Sequence, residues 1–163
     1  MNSAALVGRG VADGARMFRE WFASLTEAPD RGQPAAYVFV MGSFNELLLA
    51  FGMAPVFPEI NSLQMAVRRV AHEYLNEAED YGYSPDICGY VKADVALQLR
   101  KGKHPMGLIP KPDIAILTNA CNTYLKWGEI WERLHGTPVF TVDVPGTRAS
   151  GTQTWPGDPE FER

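Results

Sequence analysis

The stretch that decides the fold is an apolar run followed by a polar turn: Asp113-Ile114-Ala115-Ile116-Leu117-Thr118-Asn119-Ala120-Cys121. An uninterrupted apolar run of this length is typical of a parallel strand that is buried on both faces of a sheet. A helix is predicted next, because apolar and aromatic residues share one helical face up to Gly136: Tyr124, Trp127, Trp131 and Leu134. The stretch therefore predicts a strand–helix unit with Cys121 in the first turn of its helix.

Four segments of strand length alternate with helical patterns along the chain. The strands are expected near 36–41, 55–58, 113–118 and 138–143. The first helix, over 6–25, carries one apolar face: Val11, Ala15, Phe18, Phe22 and Leu25. A long helix is expected from Asn61 or Ser62 to Tyr81, with Leu63, Val67, Val70, Tyr74, Ala78 and Tyr81 buried. This alternation predicts an α/β fold, a Rossmann/flavodoxin-like parallel sheet with helices on both faces.

The domain organisation follows from the same pattern. Residues 1–35 are expected to form a helix and linker, and 36–144 the α/β domain that carries both cysteines. The segment 145–163 is rich in Gly and Pro without periodicity, and we expect it to be the truncated start of a further region.

Composition narrows the class of protein. The 163 residues are 46% hydrophobic and 21% charged, which is typical of a globular chain. A net charge of -4 gives no electrostatic footprint for nucleic acid or an anionic membrane. No apolar run approaches the ~20 residues of a membrane span, and charges interrupt any signal peptide. We therefore expect a cytoplasmic protein that binds neither nucleic acid nor membrane.

The two cysteines of the chain are the strongest candidates for a functional site. In Ser84-Pro85-Asp86-Ile87-Cys88, Ser84 is expected to cap a helix whose first turn contains Cys88. A helix N-terminus lowers the pKa of a thiol, which favours metal or redox chemistry in the cytoplasm. Because parallel strands end at one edge, Cys88 and Cys121 should converge there, with sulfurs roughly 4–7 Å apart.

Three other interpretations of the cysteines stay open at this point. Two thiolates do not complete a four-ligand metal site, so the pair could belong to a non-catalytic α/β domain and simply be buried. A zinc-binding or a flavin-binding module is also compatible with the pattern. His72 is expected to be a surface residue rather than a ligand. His104 is also expected to be exposed, and a ligand role for it stays open without support from the sequence.

The loop after the first strand supplies a second group of candidates. Ser43-Phe44-Asn45-Glu46 matches a capping box, in which Ser43 caps the helix and Glu46 returns the hydrogen bond. The alternative is that Glu46 faces a pocket at the carboxyl end of the strand, where α/β sheets bind their ligands.

Four segments, in order, resemble the benzoyl-CoA reductase and 2-hydroxyacyl-CoA dehydratase family. They are Gly42-Ser43-Phe44-Asn45-Glu46-Leu47-Leu48-Leu49-Ala50-Phe51-Gly52, Pro55-Val56-Phe57-Pro58-Glu59, Ser84-Pro85-Asp86-Ile87-Cys88-Gly89-Tyr90 and Thr118-Asn119-Ala120-Cys121-Asn122-Thr123. Two further runs are more similar to the ATP-dependent benzoyl-CoA reductases than to the dehydratases: Val56-Phe57-Pro58-Glu59-Ile60-Asn61-Ser62 and Trp155-Pro156-Gly157-Asp158. The resemblance thus favours the interpretation that this chain is the N-terminal part of a benzoyl-CoA reductase iron–sulfur subunit.

The resemblance implies a heteromeric enzyme. Two related subunits each hold a [4Fe-4S] cluster through three cysteines, and an ATP-hydrolysing activator with its own cluster supplies electrons. Cys88 and Cys121 match two of the three ligands, and the third is expected outside this chain. Family members are more than twice as long, so we expect a fragment that is inactive alone.

The expected function is low-potential electron transfer to an aromatic acyl-CoA during anaerobic aromatic degradation. The alternative within the family is a 2-hydroxyacyl-CoA dehydratase subunit that acts by radical dehydration. At the same sheet edge, Ser43 and Asn119 are predicted to bind substrate, and Glu46 and Glu59 to act catalytically.

Overall fold

The computed structural model describes residues 3–39 and 43–144, with side chains from residue 8 onwards. Within these ranges the helices are α1 (Ser3–Glu27), α2 (Asn45–Ala50), α3 (Pro58–Val67), α4 (Ala71–Tyr81), α5 (Gly89–Leu99) and α6 (Asn122–His135). The strands are β1 (Ala35–Val38), β2 (Ala54–Val56), β3 (Lys103–His104), β4 (Gly107–Leu108), β5 (Ile114–Thr118) and β6 (Val139–Val142). The segment 145–163 and the end of the predicted strand 36–41 lie outside the described residues.

Four strands form one parallel sheet in the order β2-β1-β5-β6. Ala36 lies opposite both Pro55 of β2 and Ile114 of β5, so β1 is a central strand. The short strands β3 and β4 pair separately and antiparallel. The prediction of a parallel α/β sheet is confirmed, and its order is that of a flavodoxin-like sheet.

Helices pack on both faces of the sheet, as predicted, although the two faces are covered unequally. On one face Tyr37 and Phe39 are buried against α6, where Trp127 and Trp131 have the predicted burial. The other face has a smaller cluster with Leu48 of α2, and there Phe140 of β6 is 62% exposed. Among the described residues, none of the helices is both long enough and apolar enough to cross a membrane.

A buried carboxylate lies in the larger core. Asp94 of α5 accepts hydrogen bonds from the indole N–H groups of Trp127 and Trp131, both at 2.7 Å. Gln98 Nε2 donates a third bond to it at 3.0 Å. Burial raises the pKa of Asp94, while these three donors act in the opposite direction. The carboxylate thus links α5 directly to α6.

The apolar face predicted for the first helix is buried only near its C-terminal end. Phe22 and Leu25 are fully buried, but Val11 is 69% exposed and Phe18 is 36% exposed. The prediction that this whole face packs on the domain is therefore wrong for its first half. Periodicity identifies the face correctly, but it does not tell how much of it meets a partner.

The predicted long helix from 61 to 81 is wrong, because α3 and α4 are two helices. Arg69 adopts a left-handed φ of 60°, Arg69 N donates to Ala66 O, and Val70 N donates to Met65 O. This is the hydrogen-bond pattern of a Schellman C-cap, which usually has Gly at the left-handed position. The break exposes Leu63, Val67 and Tyr81, whereas Tyr74 and Ala78 are buried as predicted.

His104 is buried, which contradicts its predicted exposure. Its Nε2 donates to Asn61 O at 3.0 Å, and its Nδ1 accepts from Met106 N at 3.1 Å. Its ring also stacks on Phe22, with centroids 4.9 Å apart. These partners fit only the neutral ring, and burial lowers the pKa of His104 to about 4. His72 is exposed, as predicted.

The buried histidine predicts a specific pH dependence of stability. The folded pKa of about 4 lies below the ordinary 6.5, so the unfolded chain takes up a proton first as the pH falls. The contribution of the neutral His104 ring to the free energy of unfolding is complete above the pKa of the unfolded chain. As the pH falls from the unfolded to the folded pKa, this contribution decreases by up to about 3 kcal/mol. We expect His104→Gln to remove this part of the pH dependence, measured by urea unfolding between pH 4 and 7.5.

His72→Gln is the matched control, since it removes an exposed histidine from the same chain. Its unfolding free energy should follow the wild-type curve. A His104→Gln curve parallel to that of the wild type would contradict the assignment of a buried neutral ring.

Candidate functional site

Cys121 lies at the junction between β5 and α6. The helix begins at Asn122, so Cys121 is its N-cap and precedes the predicted first turn by one residue. Its thiol is exposed. Hydrogen bonds from the Thr123 hydroxyl and from the N–H groups of Thr123 and Tyr124 lower the pKa of Cys121, while burial and the charge of Glu59 oppose them. This end of α6 therefore favours a thiolate.

Cys88 occupies the same position on α5. This helix begins at Gly89, so Cys88 is its N-cap and its thiol is exposed. The predicted start at Ser84 is wrong, because Ser84 is the first residue of a turn that precedes the helix. Asp86 N donates to Ser84 Oγ at 3.3 Å, and Ile87 N donates to Ser84 O at 3.1 Å. Ser, Pro and Asp suit such a turn as well as a helix start, which explains the error.

A cleft of about 460 Å³ lies between the start of α5, with the turn before it, and one side of α6. Cys88 lines it from α5, and Asn122 and Thr123, the residues after Cys121, line it from α6. Its remaining lining combines apolar and charged side chains: Asp86, Ile87, Val91, Lys126, Glu129, Ile130 and Arg133. Cys88 thus lines this depression, Cys121 immediately precedes two residues that line it, and the expected distance between the sulfurs stays a prediction.

Tyr124 connects the cysteines with Glu59. Its hydroxyl donates to Glu59 Oε1 at 2.9 Å, and its ring stacks on Phe39 with centroids 4.2 Å apart and a 4° angle between the planes. Burial and the bond to Glu59 raise the pKa of Tyr124 to about 12, and the nearby Cys121 and Cys88 contribute in the same direction. Of the predicted site residues, Glu59 binds this hydroxyl directly, and Cys88 and Cys121 lie near enough to act on it electrostatically.

Sequence reasoning missed the role of Tyr124 and assigned it only to the packing face of its helix. Its position three residues after Cys121 offered a signal, because residues three apart lie on one side of a helix. Its partner Glu59 is 65 residues away in sequence, and no local pattern indicates that contact.

The other candidates lie around the loops at the ends of β1 and β5. Helix α2 begins after Phe44, which has a left-handed φ of 61°, and no side chain caps it. The capping box of Ser43 and Glu46 is therefore wrong, and Glu46 is exposed. Asn119 binds Asp143 through its Nδ2, and its Oδ1 accepts from Val144 N at 2.7 Å. Substrate roles for Ser43 and Asn119 and a catalytic role for Glu46 stay predictions.

The candidate ligand atoms in and near the cleft are the two thiols and the carboxylates of Asp86, Glu129 and Glu59. In the ranges that the structure describes, no three His, Cys, Asp or Glu side chains come together as a metal site. The ligand roles of Cys88 and Cys121, and a third cysteine ligand outside this chain, stay predictions.

The chain matches known proteins over most of its length. A family model described as "2-hydroxyglutaryl-CoA dehydratase, D-component" matches residues 43–159. A benzoyl-CoA reductase subunit of Thauera aromatica is 33% identical over 123 residues, which are 74% of this chain and 28% of that relative.

Two dehydratase subunits are similar to a lesser degree. The (R)-phenyllactyl-CoA dehydratase alpha subunit of Clostridium sporogenes is 29% identical over 73% of this chain and 29% of its own length. The (R)-2-hydroxyisocaproyl-CoA dehydratase alpha subunit of Clostridioides difficile is 28% identical over 78% of this chain and 31% of its own length. The chain spans less than a third of the length of these curated relatives.

The hydrogen bond from Thr123 predicts the reactivity of Cys121. We expect Thr123→Val to raise the pKa of Cys121, because its hydroxyl stabilises the thiolate. Alkylation of Cys121 by iodoacetamide near pH 7.5 should slow by about twofold or more, a modest effect because solvent screens an exposed thiol. Mass spectrometry of the two cysteine peptides measures the rates, with Cys88 as an internal reference.

Thr123→Ser is the matched control, since it keeps the hydroxyl and should alkylate at the wild-type rate. Equal alkylation rates for Cys121 in the Val variant and in the wild type would show that the hydroxyl does not act on the thiol.

Proposed function

This chain belongs to the 2-hydroxyglutaryl-CoA dehydratase D-component family, and from that premise we propose that it forms part of an iron–sulfur subunit. The subunit would transfer low-potential electrons to an aromatic acyl-CoA in a benzoyl-CoA reductase-like enzyme. The observation that carries the proposal is the pair of exposed thiols, Cys88 and Cys121, at two helix N-caps beside one cleft.

The chemistry of these donors fits a [4Fe-4S] cluster. Thiolates are the usual ligands of such clusters, and helix N-termini stabilise their negative charge. Cys88 and Cys121 would supply two ligands, and the remaining ones would come from outside the described residues. When bound, the cluster supplies one-electron transfer at low potential.

The surroundings of the thiols have distinct tasks in this proposal. The side chains of Ile87, Val91 and Ile130 make part of the cleft apolar, which limits water at the site. Tyr124 holds the Glu59 carboxylate at a fixed place beside Cys121 through its hydroxyl. Glu59 is thereby held close to the thiols, where it would act on a substrate bound in the cleft.

The reductase reaction is supported by the higher identity to the benzoyl-CoA reductase relative, 33% against 28–29% for the dehydratase subunits. The second candidate is a subunit of a 2-hydroxyacyl-CoA dehydratase. It is supported by the description of the family model and by the names of three relatives.

We further propose three partners and a compartment. The relatives are named as subunits, which supports a hetero-oligomer with a related iron–sulfur subunit. An ATP-hydrolysing activator with its own cluster would supply the electrons, and an acyl-CoA would receive them. The complex would work in an oxygen-free cytoplasm.

The ligand assignment predicts the effect of removing one thiol. In the complete complex, Cys88→Ala should lose most of the iron and the brown absorbance of the cluster, measured by iron analysis and visible spectroscopy. The domain should stay folded, because this exposed side chain contributes little to the core. Ser84→Ala, in the turn before Cys88, is the control and should keep its iron.

Full iron content in Cys88→Ala would mean that this residue is not a ligand. The reaction is tested on the wild-type complex with activator and ATP. Reduction of benzoyl-CoA supports the first candidate, whereas dehydration of a 2-hydroxyacyl-CoA with benzoyl-CoA untouched supports the second.

A further inference from the structure

We propose that Asp94 is the positioning residue that sets the spacing of the two thiols, by fixing α5 and α6 in one axial register. The inference rests on the proposed function, since the spacing matters for function only if both sulfurs bind one group. Asp94 lies in the core and makes no contact with the cleft, so its role is exerted through the two helices.

The contacts of Asp94 define the register of the helices. Its Oδ2 accepts from Trp127 Nε1 and from Trp131 Nε1, each at 2.7 Å. The two tryptophans are one turn apart on α6, so one oxygen on α5 must lie between them. Sliding α6 by one residue, about 1.5 Å along the axis, would lengthen at least one of the two bonds.

The same relation continues one turn further along both helices. His135 Nε2 hydrogen-bonds to Gln98 Oε1 at 3.0 Å, and Gln98 Nε2 donates to Asp94 Oδ1 at 3.0 Å. Since Asp94 faces the middle of α6 and Gln98 faces its end, the two helices run in the same direction. Gln98 also donates to Tyr37 OH at 3.3 Å, which connects these interhelical hydrogen bonds to β1.

Each cysteine lies the same number of residues before the first hydrogen bond that joins the two helices. Cys88 precedes Asp94 by six residues on α5, and Cys121 precedes Trp127 by six residues on α6. With a rise of 1.5 Å per residue, each cysteine lies about 9 Å from the first contact along its helix. Because Asp94 lies between Trp127 and Trp131, about eight residues after Cys121, its bonds bring the two N-caps to within about 3 Å of the same level along the helices.

The contacts require a carboxylate at this position. In Asp94→Asn the amide oxygen can face the indoles only if its Nδ2 faces the donor Nε2 of Gln98. Reversing the Gln98 amide would relieve that conflict, but it would turn Oε1 toward Tyr37 OH, whose proton is already donated to Pro110 O. Trp127→Phe is a second variant that keeps an aromatic ring in the core and removes a single donor.

The spacing can be measured directly, because Cys88 and Cys121 are the two cysteines of the sequence and both are exposed. Nitroxide labels on both thiols report their separation by EPR, without any bound iron. We expect a narrow distribution for the wild-type chain. Asp94→Asn and Trp127→Phe should shift or broaden it by about 1.5 Å or more, the rise of one helical residue.

Tyr74→Phe is the matched control. Tyr74 lies on α4, and this substitution removes a different hydrogen bond, the one that Tyr74 OH donates to Lys103 O at 3.1 Å. It should lower the melting temperature without changing the label separation. Wild-type separation in Asp94→Asn and Trp127→Phe, with only their melting temperatures lowered, would overturn the proposal.

Iron analysis of the complete complex separates this inference from the proposed function. We expect Asp94→Asn to lose iron although both cysteines are present. An altered label separation together with full iron in Cys88→Ala would leave the spacing role intact and overturn the ligand assignment. Wild-type iron content in an Asp94→Asn complex whose thiols have moved would overturn the link between spacing and binding.

Discussion

A carboxylate in an apolar core is the constraint on which this structure depends most. Taking an ionised group out of water costs on the order of several kcal/mol unless donors satisfy it. Asp94 meets this demand with two indole N–H groups and one amide, and each hydrogen bond to a charged group contributes about 1.5–3 kcal/mol. Because the donors belong to two helices, α5 and α6, the helices can satisfy the carboxylate only in their observed arrangement.

The parallel sheet brings the candidate site residues together at one of its edges. Strands β2 and β5 flank β1, and the chain leaves each of them at the same edge. From β2 the chain enters α3 with Glu59 in its first turn, and from β5 it enters α6 with Cys121 as N-cap. The stacking of Tyr124 on Phe39 then brings these two crossovers into hydrogen-bond contact.

The sequence predicts those features whose signal is local. Continuous apolar strands, the tryptophan face of α6 and the cysteines beside helix starts all follow from patterns within a few residues. The break at Arg69 was missed because an arginine occupies a position that usually needs Gly. His104 and Asp94 were missed for another reason: their partners Phe22, Asn61, Trp127 and Trp131 are 33 or more residues away.

The long sequence separations around the cleft have a consequence for the order of folding. Ala36 pairs with Ile114 across 78 residues, and Tyr124 reaches Glu59 across 65. Such contacts form late, since the entropy of closing long loops must be overcome before they add stability. Both thiols therefore stay apart in the early stages of folding, and they form a pair of ligands only when the sheet closes.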